Sequence, residues 1–187
     1  MRIAISSGHG KYVPGAVGII NEVDEARKVV NQMAALWRVE GVFADVFHEN
    51  SARNRRDNVN AIVSHHNAQQ RDLDISVHFN AFKPTDAPRG VEVLYNTERL
   101  LAAKVSAAIA KAAKLRDRGA KNRKDLSFLN DTNRSAILIE VCFVDSGADV
   151  AQYHLCFDQI CDAICKAVVK PRDDTQEDPI KSMQALA

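Results

Sequence analysis

Apolar positions along the chain switch between a period of two and a helical period, and the switches mark out the elements. Ile3 to Ser6 reads as a short buried strand. Ser6 to Gly18 is rich in Ser, Gly and Pro and reads as a loop. From Glu22 to about Glu40 the apolar residues Val23, Ala26, Val29, Val30, Met33, Leu36 and Trp37 recur at helical spacing, and Gly41 stops the run. Val42 to Phe47 alternates as a second strand. Arg53 to Gln69 is a polar helix with a thin apolar face of Val59, Ile62 and Val63. Leu73 to Val77 is a third strand and Gly90 to Tyr95 a fourth, with a loop holding Pro84 and Pro88 between them. Thr97 is placed to cap a helix running to about Leu115. Residues 116 to 134 are polar and irregular. Ser135 to Phe143 (SAILIEVCF) is a strongly apolar fifth strand, and a helix follows from about His154 to Val169.

Strands alternating with helices predict an α/β fold of three layers, a twisted and mostly parallel sheet of five to six strands flanked by helices. No internal repeat is visible. The chain has 187 residues, which suits one domain over residues 1–170. From Pro171 the sequence PRDDTQEDPIKSMQALA is polar and aperiodic, and 171–187 reads as a tail or linker stub. A fold of this size buries roughly 70% of the surface its unfolded chain exposes. A metal is therefore not needed for folding, and one found here would serve chemistry.

Charge narrows the partners. Lys plus Arg number 25 and Asp plus Glu number 24, so no general pull toward nucleic acid or anionic membrane is expected. No stretch approaches the roughly 18 apolar residues of a membrane helix, so no membrane insertion is expected. The opening MRIAISSGHG does not read as a signal peptide, which predicts synthesis in the cytoplasm. Cys142, Cys156, Cys161 and Cys165 form no CxxC pair and read as buried free thiols.

Three polar residues sit where apolar strands end: His9 after the first, His78 closing the third, and Glu140 near the end of the fifth. Open α/β sheets bind ligands outside the carboxyl ends of their strands. Glu22 opens the helix after the first loop and belongs on the same rim. Two His and one Glu suit a catalytic zinc ion with a position left for solvent. A lone Glu inside AILIEVCF is costly to bury without a reason. Proton transfer beside a metal supplies that reason.

These segments carry a family resemblance. Ser7-Gly8-His9-Gly10 with Pro14-Gly15-Ala16, then Asn21-Glu22-Val23-Asp24, then Ser76-Val77-His78-Phe79-Asn80-Ala81, and last Glu140-Val141-Cys142-Phe143-Val144-Asp145-Ser146, resemble in order the motifs of the zinc N-acetylmuramoyl-L-alanine amidases. The compact form looks most like the catalytic domain of a phage endolysin, or of an autolysin. The resemblance implies zinc held by His9, Glu22 and His78. It implies hydrolysis of the amide between the lactyl group of N-acetylmuramic acid and L-alanine in peptidoglycan, with Glu140 moving the proton. It implies action on the cell wall after release, and a monomer is expected. Lys11, Cys142 and Ser146 depart from residues common in the family.

Glu25 is a rival ligand one turn after Glu22, and the NEVD context favours Glu22. His65 and His66 are neighbours on a polar helix and are expected at the surface. His48 and His154 read as structural or exposed. Asn80 is a candidate for a substrate contact or a loop cap. Residues 111 to 124 hold seven Lys or Arg and one acid, read as a solvated edge or a basic rim to the cleft. Asp125 to Asp131 is a candidate part of the groove. The rival functions are another zinc peptidase or amidohydrolase of the same fold, and a non-catalytic wall-binding protein.

Overall fold

The computed structural model describes residues 1–169. The expected domain end at 170 and the expected tail, 171–187, lie outside the described residues. Chain order is β1 (Arg2–Ser7), α1 (Glu22–Val39), β2 (Phe43–Phe47), α2 (Arg55–Ala68), β3 (Leu73–Asn80), β4 (Val91–Tyr95), α3 (Arg99–Ala113), β5 (Asp117–Asn122), α4 (Ser127–Asp131), β6 (Ser135–Phe143), α5 (Gly147–Leu155) and α6 (Phe157–Val168).

Among these residues the strands form one six-stranded sheet ordered β2-β1-β3-β6-β4-β5. The ladders from β2 through β6 are parallel, β4 runs antiparallel to β6, and β5 is parallel to β4. The expectation of a mostly parallel α/β sheet holds.

The two faces of the sheet differ because strand side chains alternate. One face carries Ile3, Ile5, Ile75, Val77, Ile137 and Ile139 into the main core. Trp37 of α1, Ile109 of α3 and Ile160 of α6 close over it. The other face is covered by α2 and α4 around a smaller core of Ile62, Leu94, Phe128, Ala136 and Leu138. Ser6, Asp74 and Ser76 are buried polar residues on this second face. His78 and Glu140 continue the same alternation toward the carboxyl ends.

Three features differ from expectation. Strand β5 (DRGAKN) lies in the segment read as irregular. It is an edge strand with half-exposed or exposed side chains, so the ladder to β4 forms it rather than an apolar pattern. Gly119 takes φ +74 there, a left-handed conformation that suits glycine. Helix α5 begins before the helix expected at His154, because the Ser146 side chain accepts from the Asp149 N–H and caps it. The residue before α3 is Glu98, and Thr97 makes no side-chain cap.

His66 is a fourth correction. It was expected at the surface and is fully buried. Asn58, Ile62 and His66 recur every four residues and form the inward stripe of α2. His66 Nδ1 lies 2.8 Å from Asp74 Oδ1 and Nε2 lies 3.0 Å from Ser6 Oγ. Arg71 donates to both Asp74 oxygens at 2.8 Å. His65 is half-buried, stacked on Phe47 and paired with Asp45.

Candidate metal centre

The loop after β1 is pinned before it delivers His9. The Gly8 N–H donates to the Val77 carbonyl at 2.9 Å, and Asn58 of α2 donates to the Gly8 carbonyl at 3.1 Å. Glycine is required there, since a Cβ on Gly8 would overlap the His78 ring. A Cβ on Gly15 would likewise overlap the Glu22 carboxylate. The Asn21 side chain caps α1 by accepting from the Val23 and Asp24 N–H groups, which fixes Glu22 as the first helical residue. Strand β3 extends past its expected end to Asn80, and a register shift between His78 and Asn80 locally twists it.

These supports bring three expected residues together. One ligand atom each from His9, Glu22 and His78 lie within 4.8 Å of one another. Glu22 Oε1 is 2.9 Å from His78 Nδ1 and 3.6 Å from His9 Nε2. The two imidazole rings meet edge to face, with centroids 5.2 Å apart. The other Glu22 oxygen accepts from the Ala16 N–H at 2.5 Å.

The electrostatics suit a cation. Burial pushes the Glu22 carboxyl up, but the hydrogen bond from His78 and the charges of both imidazoles outweigh it and leave the group below its ordinary value. Burial pulls His78 down, yet its bond to Glu22 and the charge of Glu140 carry it above the ordinary value. Burial holds His9 below its ordinary value against the pull of Glu22, and the positive charges of His78 and Arg55 add to the lowering. Two imidazoles and a carboxylate are a borderline donor set of the kind that zinc takes. The residues present therefore fit that ion.

Glu140 sits beside this cluster, in register with His78 on the neighbouring strand. Its Oε2 is buried with no hydrogen-bond partner among the described residues. Burial raises its carboxyl to about 7. His9, His78 and Glu140 all line one cavity of about 720 Å³ between the polar face of the sheet and helices α2 and α4.

The rival ligand Glu25 is engaged elsewhere. It accepts from the Tyr153 hydroxyl at 2.9 Å and pairs with Lys28 at 2.7 Å. His48 bonds Ser7 and Asn31, and burial first, then Arg27, lowers it to about 4. His154 is exposed. Asn80 accepts from the Ala81 N–H, as a loop cap does, and also donates to Glu92 Oε1 at 3.0 Å. Asp125 to Phe128 form part of the cavity wall, and of the basic segment Arg123 reaches it. Cys142 departs from the resemblance by filling the core. Ser146 departs by capping α5 and donating to the Ala87 carbonyl. Arg55, Arg56 and Asn58 also line the cavity, and the sequence pattern gave no sign of it.

A family model described as N-acetylmuramoyl-L-alanine amidase matches residues 3–170. The chain belongs to the N-acetylmuramoyl-L-alanine amidase family. Among curated relatives, an uncharacterized 38.4 kDa protein of Clostridium perfringens is 30% identical over 180 residues, spanning 91% of this chain and 52% of that protein. The chain thus spans about half the length of the curated relatives it matches. The catalytic domain of the CD27L endolysin targeting Clostridia Difficile is 28% identical with a TM-score of 0.81, covering 90% of this chain and 96% of that one. The N-acetylmuramoyl-L-alanine amidase AmiC2 of Nostoc punctiforme shares the amidase-family fold at a TM-score of 0.75 and 21% identity, covering 98% and 97%. No helix among the described residues is long and apolar enough to cross a membrane.

Proposed function

We propose that this chain is a zinc-dependent N-acetylmuramoyl-L-alanine amidase that cleaves the bond between the lactyl group of N-acetylmuramic acid and L-alanine in peptidoglycan. His9, Glu22 and His78 are the residues that hold the metal, and Glu140 is the proton-transfer group. The observation that carries this reading is the convergence of three ligand atoms within 4.8 Å beside a carboxyl with an unbonded oxygen. Family membership and the likeness to an endolysin catalytic domain support action on the bacterial wall.

When bound, zinc supplies Lewis acidity, which polarises an amide carbonyl and makes a neighbouring water more acidic. Glu140 then has two tasks. Its carboxylate accepts the proton of the attacking water, and the same group delivers that proton to the departing L-alanine nitrogen. A carboxyl raised to about 7 is matched to both directions of transfer near neutral pH. The loop pinned at Gly8 and the Asn21 cap of α1 hold the three ligand side chains in place, so little reorganisation accompanies reaction.

Digestion of purified walls tests the reading. New free L-alanine amino termini support it, while cuts confined to the interior of the stem peptide point to the peptidase alternative. Absence of any new end group and of zinc points to a wall-binding protein.

A further inference from the structure

The cavity beside Glu140 is lined by three guanidinium-bearing residues, and only one of them is balanced. Arg123 is gripped by both oxygens of Asp125, at 2.8 and 2.7 Å, so its charge is committed. Arg55 and Arg56 open α2, and neither side chain has an ion pair or hydrogen bond among the described residues. Positive charge in a first helical turn opposes the helix dipole, so stability does not account for the pair. The nearby acid does not offset them either. Asp57 accepts from the Asn54 side chain at 2.7 Å and gives its own N–H to Asn54 at 2.9 Å, closing the cap. Arg55 lines the same cavity as His9, and its charge acts on that imidazole. An anionic group entering beside His9 would find one free guanidinium there.

Resting on the amidase reading, we propose that Arg55 binds a carboxylate of the stem peptide, the free α-carboxylate on the residue after L-alanine. The cleft is thereby selective for the free acid over the carboxamide at that position. Arg55 suits this task because a planar guanidinium binds a carboxylate through two parallel hydrogen bonds. Arg55 lines the cavity that also holds His9, His78 and Glu140, so a carboxylate one residue beyond the scissile amide enters the same cavity.

The test uses two muramyl peptides that differ only in carboxylate or carboxamide after L-alanine. Wild-type protein is expected to favour the acid by about tenfold in kcat/KM. Arg55→Gln should bring that ratio close to one, and Arg55→Lys should retain part of it. Calorimetric binding of both peptides to Glu140→Gln reads the same preference without turnover. A wild-type ratio near one, or an equal loss on both peptides in Arg55→Gln, overturns the inference and leaves the amidase reading intact. Cleavage of neither peptide by wild-type protein, with zinc bound, overturns the amidase reading and the inference together.

Discussion

His78 and Glu140 are paired in register on the adjacent parallel strands β3 and β6, so their side chains leave the sheet on the same face. One strand thus offers an imidazole to the cluster with Glu22, and its neighbour offers the only carboxyl side chain of β6. The pairing places Glu140 next to the candidate metal without making it a member of the three-residue cluster.

Glu140→Gln should keep zinc and lose hydrolysis by about 100-fold or more. It should also stabilise the metal-free protein at alkaline pH. The folded carboxyl is raised to about 7, above its unfolded value, so the group's contribution is fully present below the unfolded pKa and declines as pH rises to about 7. Removing the titrating group removes that decline. Urea unfolding of the chelated proteins at pH 5 and pH 8.5 should show the variant gaining about 2 kcal/mol relative to wild type at the higher pH. Equal pH dependence in both proteins would contradict the raised carboxyl.

Gly8→Ala should lower zinc affinity by about tenfold or more while leaving the far-ultraviolet circular dichroism unchanged. The added methyl overlaps the His78 ring and turns it away from Glu22. Competition with a chromophoric chelator measures the affinity. Wild-type affinity in Gly8→Ala would show that the ring does not need this contact.

The two acids of α1 should separate cleanly. Glu22→Gln should weaken metal binding. Glu25→Gln should keep zinc and cost about 1 kcal/mol of stability through its bonds to Tyr153 and Lys28. Zinc lost from Glu25→Gln alone would reverse the assignment.

The buried Ser6, His66 and Asp74 set predicts an acid-labile fold. Burial pushes Asp74 up, but hydrogen bonds from His66 and Arg71 outweigh it and hold the carboxyl below its ordinary value. A depressed folded pKa gives stability that is present above the unfolded value, near 4, and is lost as pH falls through the folded one. Asp74→Asn should lose about 3 kcal/mol at pH 7, because Arg71 is left buried without its partner. Its unfolding free energy should then change less than that of wild type between pH 5 and pH 3.

Much of this was legible in the chain. Apolar runs marked β1, β3 and β6, and His9, His78 and Glu140 stood at their carboxyl ends, where a parallel sheet gathers ligands. Strand β5 was not legible, because an edge strand of Asp, Arg, Lys and Asn carries no apolar pattern and is held by its neighbour's backbone. The burial of His66 was hidden for a related reason. Its partners Ser6 and Asp74 belong to other strands, and only the packed sheet brings them under α2. Arg55 reads in sequence as one more surface charge. Its place on the cavity wall exists only once α2 has packed over the second face of the sheet.

The central claim is that His9, Glu22 and His78 hold one zinc ion. Metal analysis of the purified chain and of its His9→Ala and His78→Ala variants tests it most directly. About one zinc per wild-type chain is expected, falling to near zero in each variant, with the fold retained by circular dichroism. A wild-type chain that takes up no zinc when it is supplied, or a His78→Ala variant that keeps its full complement, would contradict the account.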